Sequence, residues 1–515
     1  MSAFPSMSFF SRLVVSQRFK YFFLVVVFLF FRVPFLTKMP VFNDESIYID
    51  WAWRAVNSPG FMFFSLLDGK QPVVLWVMGL LETVLPNMLW AGRFAAVVFS
   101  ALAMAGVYRA TNLIYADRKL SMYAALLYCI LPPFVFFDRQ ALYESAVSTV
   151  FIWLLVATAS FIKRPNLLKS IALGTVLGLG IWIKTTTLLL VPAVLVGLWV
   201  GLGKKMLQRE NLGFIAYAFF VSQAFAVLLY VQPTFQQGAS LNRYIFSLTE
   251  LIHFPAWTWF SNAWLVAETF WWLCTPGIVM VVFWWSYTMF RKNTEDKNPI
   301  SILPAWYFIT IVVVQVILSQ AMTPRYMVAP LSVIPILAAA SLSQLWQKSV
   351  AAKIFVGFSV LCAVGMGLFA LVFPIQYLRS LDVVSRYSLA HEYLDLWTSG
   401  KAGQEAVAYV STKIGSGSGM VFVRRDAGNP ESLVTYSFHK QPMVTVAYFD
   451  AQDVRGLDQY DCISSQYPVF YISRDFHLVG TERFWQEVER FYNGVNSVGV
   501  YVPKTSCEGK ILELH

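Results

Sequence analysis

The chain has 515 residues, of which 57% are hydrophobic, 17% aromatic and only 13% charged, with a formal net charge of +10. A water-soluble globular domain carries about 25% charged residues, so that class is excluded and an integral membrane protein is indicated. Residues 1–375 hold 26 Lys and Arg against 13 Asp and Glu, and residues 376–515 hold 13 against 16. The basic residues fall in short loops between apolar runs, which argues for membrane topology and against nucleic-acid binding.

A membrane-spanning helix needs about 20 apolar residues. Eleven runs meet that requirement with soft boundaries: 20–36, 88–112, 120–137, 143–161, 167–183, 187–203, 212–231, 265–290, 301–321, 326–346 and 353–373. The first has no small-residue cleavage site after it and reads as a retained signal-anchor helix. With the N-terminus in the cytoplasm, the cytoplasmic segments hold 17 basic and 4 acidic residues, and the outer segments of the same region hold 9 of each. The positive-inside rule selects that orientation.

Between the first two spans lies an outer segment, 37–87. It opens with VFNDESIY and includes SIYIDWAWRAV, an amphipathic pattern with Trp51 and Trp53 that suits the membrane interface. A second long outer segment, 232–264, is rich in aromatics (HFPAWTWF) and contains His253, either an interface residue or an acceptor contact. An aromatic belt at the headgroups accounts for such Trp residues without any chemistry.

An odd number of spans sends residues 376–515 outside. GMVFVRR, PMVTVAYF, PVFYISRD and SVGVYVPK read as short strands, and ERFWQEVERFYNG as an amphipathic helix closed by Gly494. The alternation predicts a small α/β domain with a largely parallel sheet. KIGSGSG (413–419) lacks the Gly-Lys-Ser/Thr ending of a phosphate loop. Cys129, Cys274 and Cys362 fall in or at spans as packing residues, while Cys462 and Cys507 share the outer domain and could pair if their geometry allows. No Cys/His spacing indicates a zinc site. The predicted fold is thus a multi-pass α-helical membrane protein with about eleven spans. The membrane domain covers 1–375, including interfacial helices in 37–87, and an extracytoplasmic α/β domain of unassigned role covers 376–515.

The outer loops carry few charges. Asp44 and Glu45 follow the first span; DGKQPVVLW brings Asp68 and Lys70; FFDRQALYES brings Asp138, Arg139 and Glu144; GIWIKTTT brings Lys184; TPRYMVAP brings Arg325 and Tyr326. An acidic residue costs roughly 2.5–3.5 kcal/mol at the centre of a spanning helix, so acids beside spans tend to mark pathways or sites. A lone cation at a helix end ordinarily snorkels or pairs with a neighbour. Several together at the membrane boundary suit a lipid-linked phosphate, because Arg forks and Lys point charges bind phosphate oxygens and favour a phosphate leaving group. A nearby carboxylate could accept a proton from an acceptor hydroxyl. There is no Asp-x-Asp clamp and no Walker A loop.

These segments, in this order, resemble the membrane glycosyltransferases of the GT-C superfamily. They look most like bacterial relatives of protein O-mannosyltransferases and lipid A aminoarabinose transferases, over most of residues 20–345. NDESIY looks like the family's Asp-Glu pair. GKQPVVLW resembles its Lys-Pro-Pro segment with Gln71 in place of the first Pro, and AGRF around Arg93 its Ala-Ala-Arg stretch. DRQALYES resembles its Arg…Asp element with Glu144 where Asp is commoner. GLGIWIKTTTLLLVP resembles the Gly-rich helix ending in Lys, and PRYMVAPLSVIPILAAA the Arg-Tyr-x-x-x-Pro motif.

The resemblance implies inverting transfer of a sugar from a polyprenyl-phosphate donor to a hydroxyl of a protein, lipid or glycan on the outer face of the plasma (inner) membrane. No cofactor is required; a divalent metal is possible but not indicated. Asp44 would be the acceptor-activating base and Glu45 its catalytic, structural or acceptor-binding neighbour. Lys70 would contact the donor phosphate, with Arg139, Lys184 and Arg325 as further candidates; Asp138, Glu144 and Tyr326 would support them. A flippase for lipid-linked sugars is the alternative. It would call for inverted repeats and charges at mid-membrane, whereas most charges here lie at the edges. A non-catalytic anchor for the outer domain would need no recurring acids and cations.

Overall fold

The computed structural model describes residues 17–237, 244–291, 299–449, 463–464, 467–474, 485–503 and 506–507. Helices dominate up to residue 384, since a helix satisfies its own backbone polar groups where no water is present. Among the described residues, six helices are long and apolar enough to cross a membrane: Met88–Tyr115, Glu144–Lys163, Thr185–Leu207, Arg209–Tyr230, Pro299–Leu318 and Val350–Val372. Two bent pairs bring the number to eight if each pair is one span. The chain is therefore a multi-pass membrane protein.

Several of the eleven expected runs are not single straight spans. The 265–290 run divides into Ala256–Leu273 and Pro276–Arg291, whose axes are bent by 113°. Thr275 turns that corner with φ +68°, and Pro276 opens the next helix. The 326–346 run bends by 55° between Pro324–Leu331 and Ile334–Trp346. Pro132 ends the helix Arg118–Ile130 and starts the short Pro132–Phe137. Gln17–Arg32 and Leu167–Ile183 are apolar but shorter, at 16 and 17 residues.

Two helices of the first outer segment place the residues that matter below. Asn43–Asn57 packs on Pro72–Val84. The two approach so closely that a Cβ on Gly79 would lie 2.3 Å from the Ala52 carbonyl oxygen. The second helix starts at Pro72, whose missing N–H costs nothing at that position.

Beyond residue 400, Lys401–Ile414 and Glu431–Phe438 are helical, and five strands form a mixed sheet. All four expected strands are present, as Gly419–Arg424, Val444–Phe449, Val469–Arg474 and Asn496–Pro503. The first pairs in parallel with the second and third, while Val469–Arg474 pairs antiparallel with Asn496–Pro503. The sheet is thus parallel on one side only. The expected amphipathic helix at ERFWQEVERFYNG is instead the strand Trp485–Asn493, antiparallel to Asn496–Pro503 with a bulge between Glu487 and Glu489. Gly494 does not close a helix. Its φ of +61° opens a two-residue hairpin turn, for which Gly is the favoured residue. Cys462, and with it the Cys462–Cys507 pairing, lies outside the described residues; Cys129, Cys274 and Cys362 are free.

This sheet-bearing part docks on the Asn43–Asn57 helix. Gly400 N donates to Val41 O at 2.7 Å, Asn429 N donates to Asn43 Oδ1 at 2.8 Å, and Phe42 stacks on Tyr393 at 4.5 Å. Asp50 Oδ1 accepts from Arg54 Nε at 3.0 Å and lies 2.8 Å from His439 Nε2, whose ring stacks on Trp53. Lys440 donates to the carbonyls of Glu82 and Leu85.

Candidate active site

A cavity of about 560 Å³ opens where the first outer segment meets the later loops. Asp44, Lys70, Glu144, Lys184, Arg325 and Tyr326 all line it, brought from five separate stretches of chain. Trp397 and Ala427, from beyond residue 376, also reach its wall.

Each of these side chains is positioned by a local stop in regular structure. Asp44 stands in the first turn of Asn43–Asn57, where the helix dipole favours a carboxylate. Lys70 follows a 3-10 turn, Phe64–Asp68, that Gly69 ends at φ +70°. Lys184 is the extended residue after Leu167–Ile183, its N–H still bonded to Gly180 O at 2.9 Å. Glu144 opens Glu144–Lys163. Arg325 rides on the single turn Pro324–Met327, begun by proline.

Arg325 Nη1 donates to Asp44 Oδ2 at 2.8 Å, with side-chain exposures of 16% and 26%, so the pair is partly open to the cavity. Burial pushes the Asp44 carboxyl up, but Arg325, with Lys70 and Lys184 farther off, more than reverses this and holds it below its ordinary value. Arg325 Nε is buried, with no hydrogen-bond partner among the described residues. The guanidinium also lies over the rings of Phe42 and Tyr326. Lys184 Nζ is 3.7 Å from Glu144 Oε1 and 5.5 Å from the Tyr326 ring centroid. Among the described residues Lys70 forms no ion pair within 4.0 Å, leaving its ammonium uncommitted.

Three expected site residues are elsewhere. Glu45 is only 1% exposed and absent from the cavity wall. Its Oε1 accepts from Arg93 Nε at 2.8 Å and Ala141 N at 2.7 Å, and its Oε2 from Arg93 Nη2 at 2.7 Å and Phe42 N at 2.9 Å. Arg93 completes its five donors on the carbonyls of Leu36, Met39 and Pro40. This pair pins the entry to the Asn43–Asn57 helix and is structural. Arg139 is 7% exposed, donates to Arg32 O at 3.1 Å and Pro34 O at 2.5 Å, and is absent from the cavity wall. Asp138 is fully buried with Arg32 at 3.4 Å, Tyr128 OH at 2.9 Å and Ser145 Oγ at 3.0 Å. Its support is to the helix packing. His253 is exposed and outside the cavity, its ring nitrogen 2.7 Å from Thr249 O.

Sequence reasoning missed other wall residues. Trp51 lies in the wall rather than only in an aromatic belt, edge-on to Phe64 at 5.8 Å. Gln71 and Thr185 join two loops of the site. Gln71 was visible as a departure from Lys-Pro-Pro, yet nothing in the string named its partner. Trp397 gave no signal, because it approaches only through the docked tail. Among the described residues, no group of three or more His, Cys, Asp or Glu is placed to hold a metal ion.

Comparison with known proteins bears on the fold and on part of the sequence. Residues 69–230 match the family model described as dolichyl-phosphate-mannose-protein mannosyltransferase. No curated protein matches the chain in sequence. The chain is similar to the crystal structure of ArnT from Cupriavidus metallidurans bound to undecaprenyl phosphate, with a TM-score of 0.57, 14% identity and coverage of 96% of this chain and 100% of that one. The apo state of the same protein gives a TM-score of 0.56 at 15% identity, covering 93% of this chain and 97% of that one. The chain thus has the fold of the GT-C membrane glycosyltransferases, and over residues 69–230 it is similar to the dolichyl-phosphate-mannose-protein mannosyltransferases.

Proposed function

We propose that this protein transfers a sugar from a polyprenyl-phosphate donor to a hydroxyl on the outer face of the plasma (inner) membrane, with inversion at the anomeric carbon. The reading includes a cytoplasmic N-terminus and a membrane domain that ends near residue 375. The observation that carries it is the convergence of Asp44, Lys70, Lys184 and Arg325 on one cavity. The undecaprenyl phosphate bound in the similar structure supports a lipid phosphate as the donor's carrier.

In this mechanism the acceptor oxygen attacks the anomeric carbon while the bond from that carbon to the phosphate oxygen breaks. The lipid phosphate departs with the electron pair, and Asp44 takes the hydroxyl proton. Lys70 and Lys184 neutralise the growing charge on the leaving group. Arg325 links the two halves of the chemistry. Its partly exposed guanidinium, whose Nε has no hydrogen-bond partner among the described residues, turns toward the arriving phosphate, which loosens its hold on Asp44. With the cation drawn off, burial raises the Asp44 carboxyl, so the base strengthens as the donor binds. Glu144 keeps Lys184 at the wall.

The test is transfer from a defined lipid-linked donor by protein reconstituted in lipid. Asp44→Asn and Lys70→Ala should each abolish transfer while the protein still inserts; full activity in both would overturn the proposal. Mass spectrometry of co-purified lipid would name the donor sugar.

A further inference from the structure

Building on the proposed function, we infer that Gln71 is a positioning residue that sets the spacing of the two lysines on the donor phosphate. Gln71 immediately follows Lys70, and Thr185 immediately follows Lys184. Thr185 N donates to Gln71 Oε1 at 2.9 Å, and Gln71 Nε2 donates to Thr185 Oγ1 and, at 3.1 Å, to Gly69 O. Both amide hydrogens and the amide oxygen are thereby used. The clip is 2% exposed at Gln71 and 6% at Thr185, so it is shielded from competing water. Tyr143 OH donates to Gln71 O at 2.8 Å, and the next residue, Glu144, faces Lys184 across 3.7 Å. The Gln71 side chain therefore ties the Lys70 loop to the Lys184 loop, and its backbone carbonyl holds the loop that carries Glu144.

The physical need is plain. The lysines belong to segments more than one hundred residues apart, and a lysine ammonium is a point charge on a flexible stem. Two such charges bind one phosphate well only if their backbones are held at a fixed separation, because ordering them on binding costs affinity. A proline at position 71, as in the Lys-Pro-Pro segment this stretch resembles, has no side-chain polar group and could not make the clip. Gln71 replaces ring rigidity with a cross-loop bond.

The experiment measures undecaprenyl phosphate binding to the full-length purified protein by native mass spectrometry, in two backgrounds. In the wild-type background, Gln71→Ala should weaken binding about tenfold. In a Lys70→Ala/Lys184→Ala background the same change should cost less than about twofold, since there are no longer two charges to space. Thr185→Val, which keeps the N–H but removes Oγ1, should weaken wild-type binding about threefold and serves if Gln71→Ala does not fold. Equal losses from Gln71→Ala in both backgrounds, or unaltered binding by Thr185→Val, would overturn the inference and leave a merely structural Gln71. A Lys70→Ala/Lys184→Ala protein that binds like wild type would overturn the proposed function itself, whatever the Gln71 variants do.

Discussion

Asp44 and Glu45 are adjacent acids, and the structure gives them opposite fates on substitution. In Glu45→Gln the side chain keeps its shape but gains an NH2 group. Both oxygens of Glu45 accept only from N–H donors, two each, so either amide orientation sets a donor against two donors. Arg93, 1% exposed, also loses its countercharge. Breaking a buried pair in this way costs about 3–5 kcal/mol. In Asp44→Asn the amide oxygen still accepts from Arg325 Nη1, in a pair 16–26% exposed. The loss there is smaller than at Glu45, because the pair is partly open to the cavity and keeps this hydrogen bond. Thermal unfolding in detergent, followed by tryptophan fluorescence, separates the two: Glu45→Gln should unfold well below wild type, and Asp44→Asn close to it while losing transfer. A Glu45→Gln protein that melts with wild type, or an Asp44→Asn protein that melts as early, would refute this division between structure and chemistry.

Three further outcomes are expected. Asp44 acts as a base only when ionised, so kcat/KM falls as pH drops through its pKa. That pKa lies below the ordinary value near 3.9, which puts the acid limb below about pH 4. Arg325→Gln removes the cation but not the burial and should move the limb to higher pH; an active variant with an unmoved limb contradicts the pairing. Gly79→Ala drives a methyl into the Ala52 carbonyl and should cost about 1–3 kcal/mol in unfolding experiments, against no change if the helices can part freely. His439→Ala removes the Asp50 contact and the Trp53 stacking, so limited proteolysis should release the tail faster than in wild type; an unchanged rate would mean that this contact does not hold the tail.

What the sequence made legible follows from which signals are local. Lone charges in sparsely charged loops stand out, and Asp44, Lys70, Lys184 and Arg325 line one cavity. Their facing is a different matter. Neighbours on a helix point about 100° apart, so Asp44 and Glu45 could not share one role, although the string shows only a pair. Arg139 looked like the other cations but spends its donors on carbonyls of the first loop, a contact 105 to 107 residues away that no local pattern encodes. The 485–493 strand misled for a related reason. Its edge position exposes most of its side chains, so Trp485, Val488 and Phe491 mimic helical spacing, while the deciding signal was Gly494 as a turn. The broken spans at Pro276 and Ser332 were hidden because hydropathy records apolar content, not direction.

The central claim is that one cavity holds the donor's phosphate between its cations and beside Asp44. An experimental structure of the protein with undecaprenyl phosphate tests it most directly. The phosphate should lie within hydrogen-bond reach of Lys70, Lys184 and Arg325, with the Arg325–Asp44 contact lengthened from 2.8 Å. A phosphate seated anywhere else, or that contact unchanged beside a bound phosphate, would contradict it.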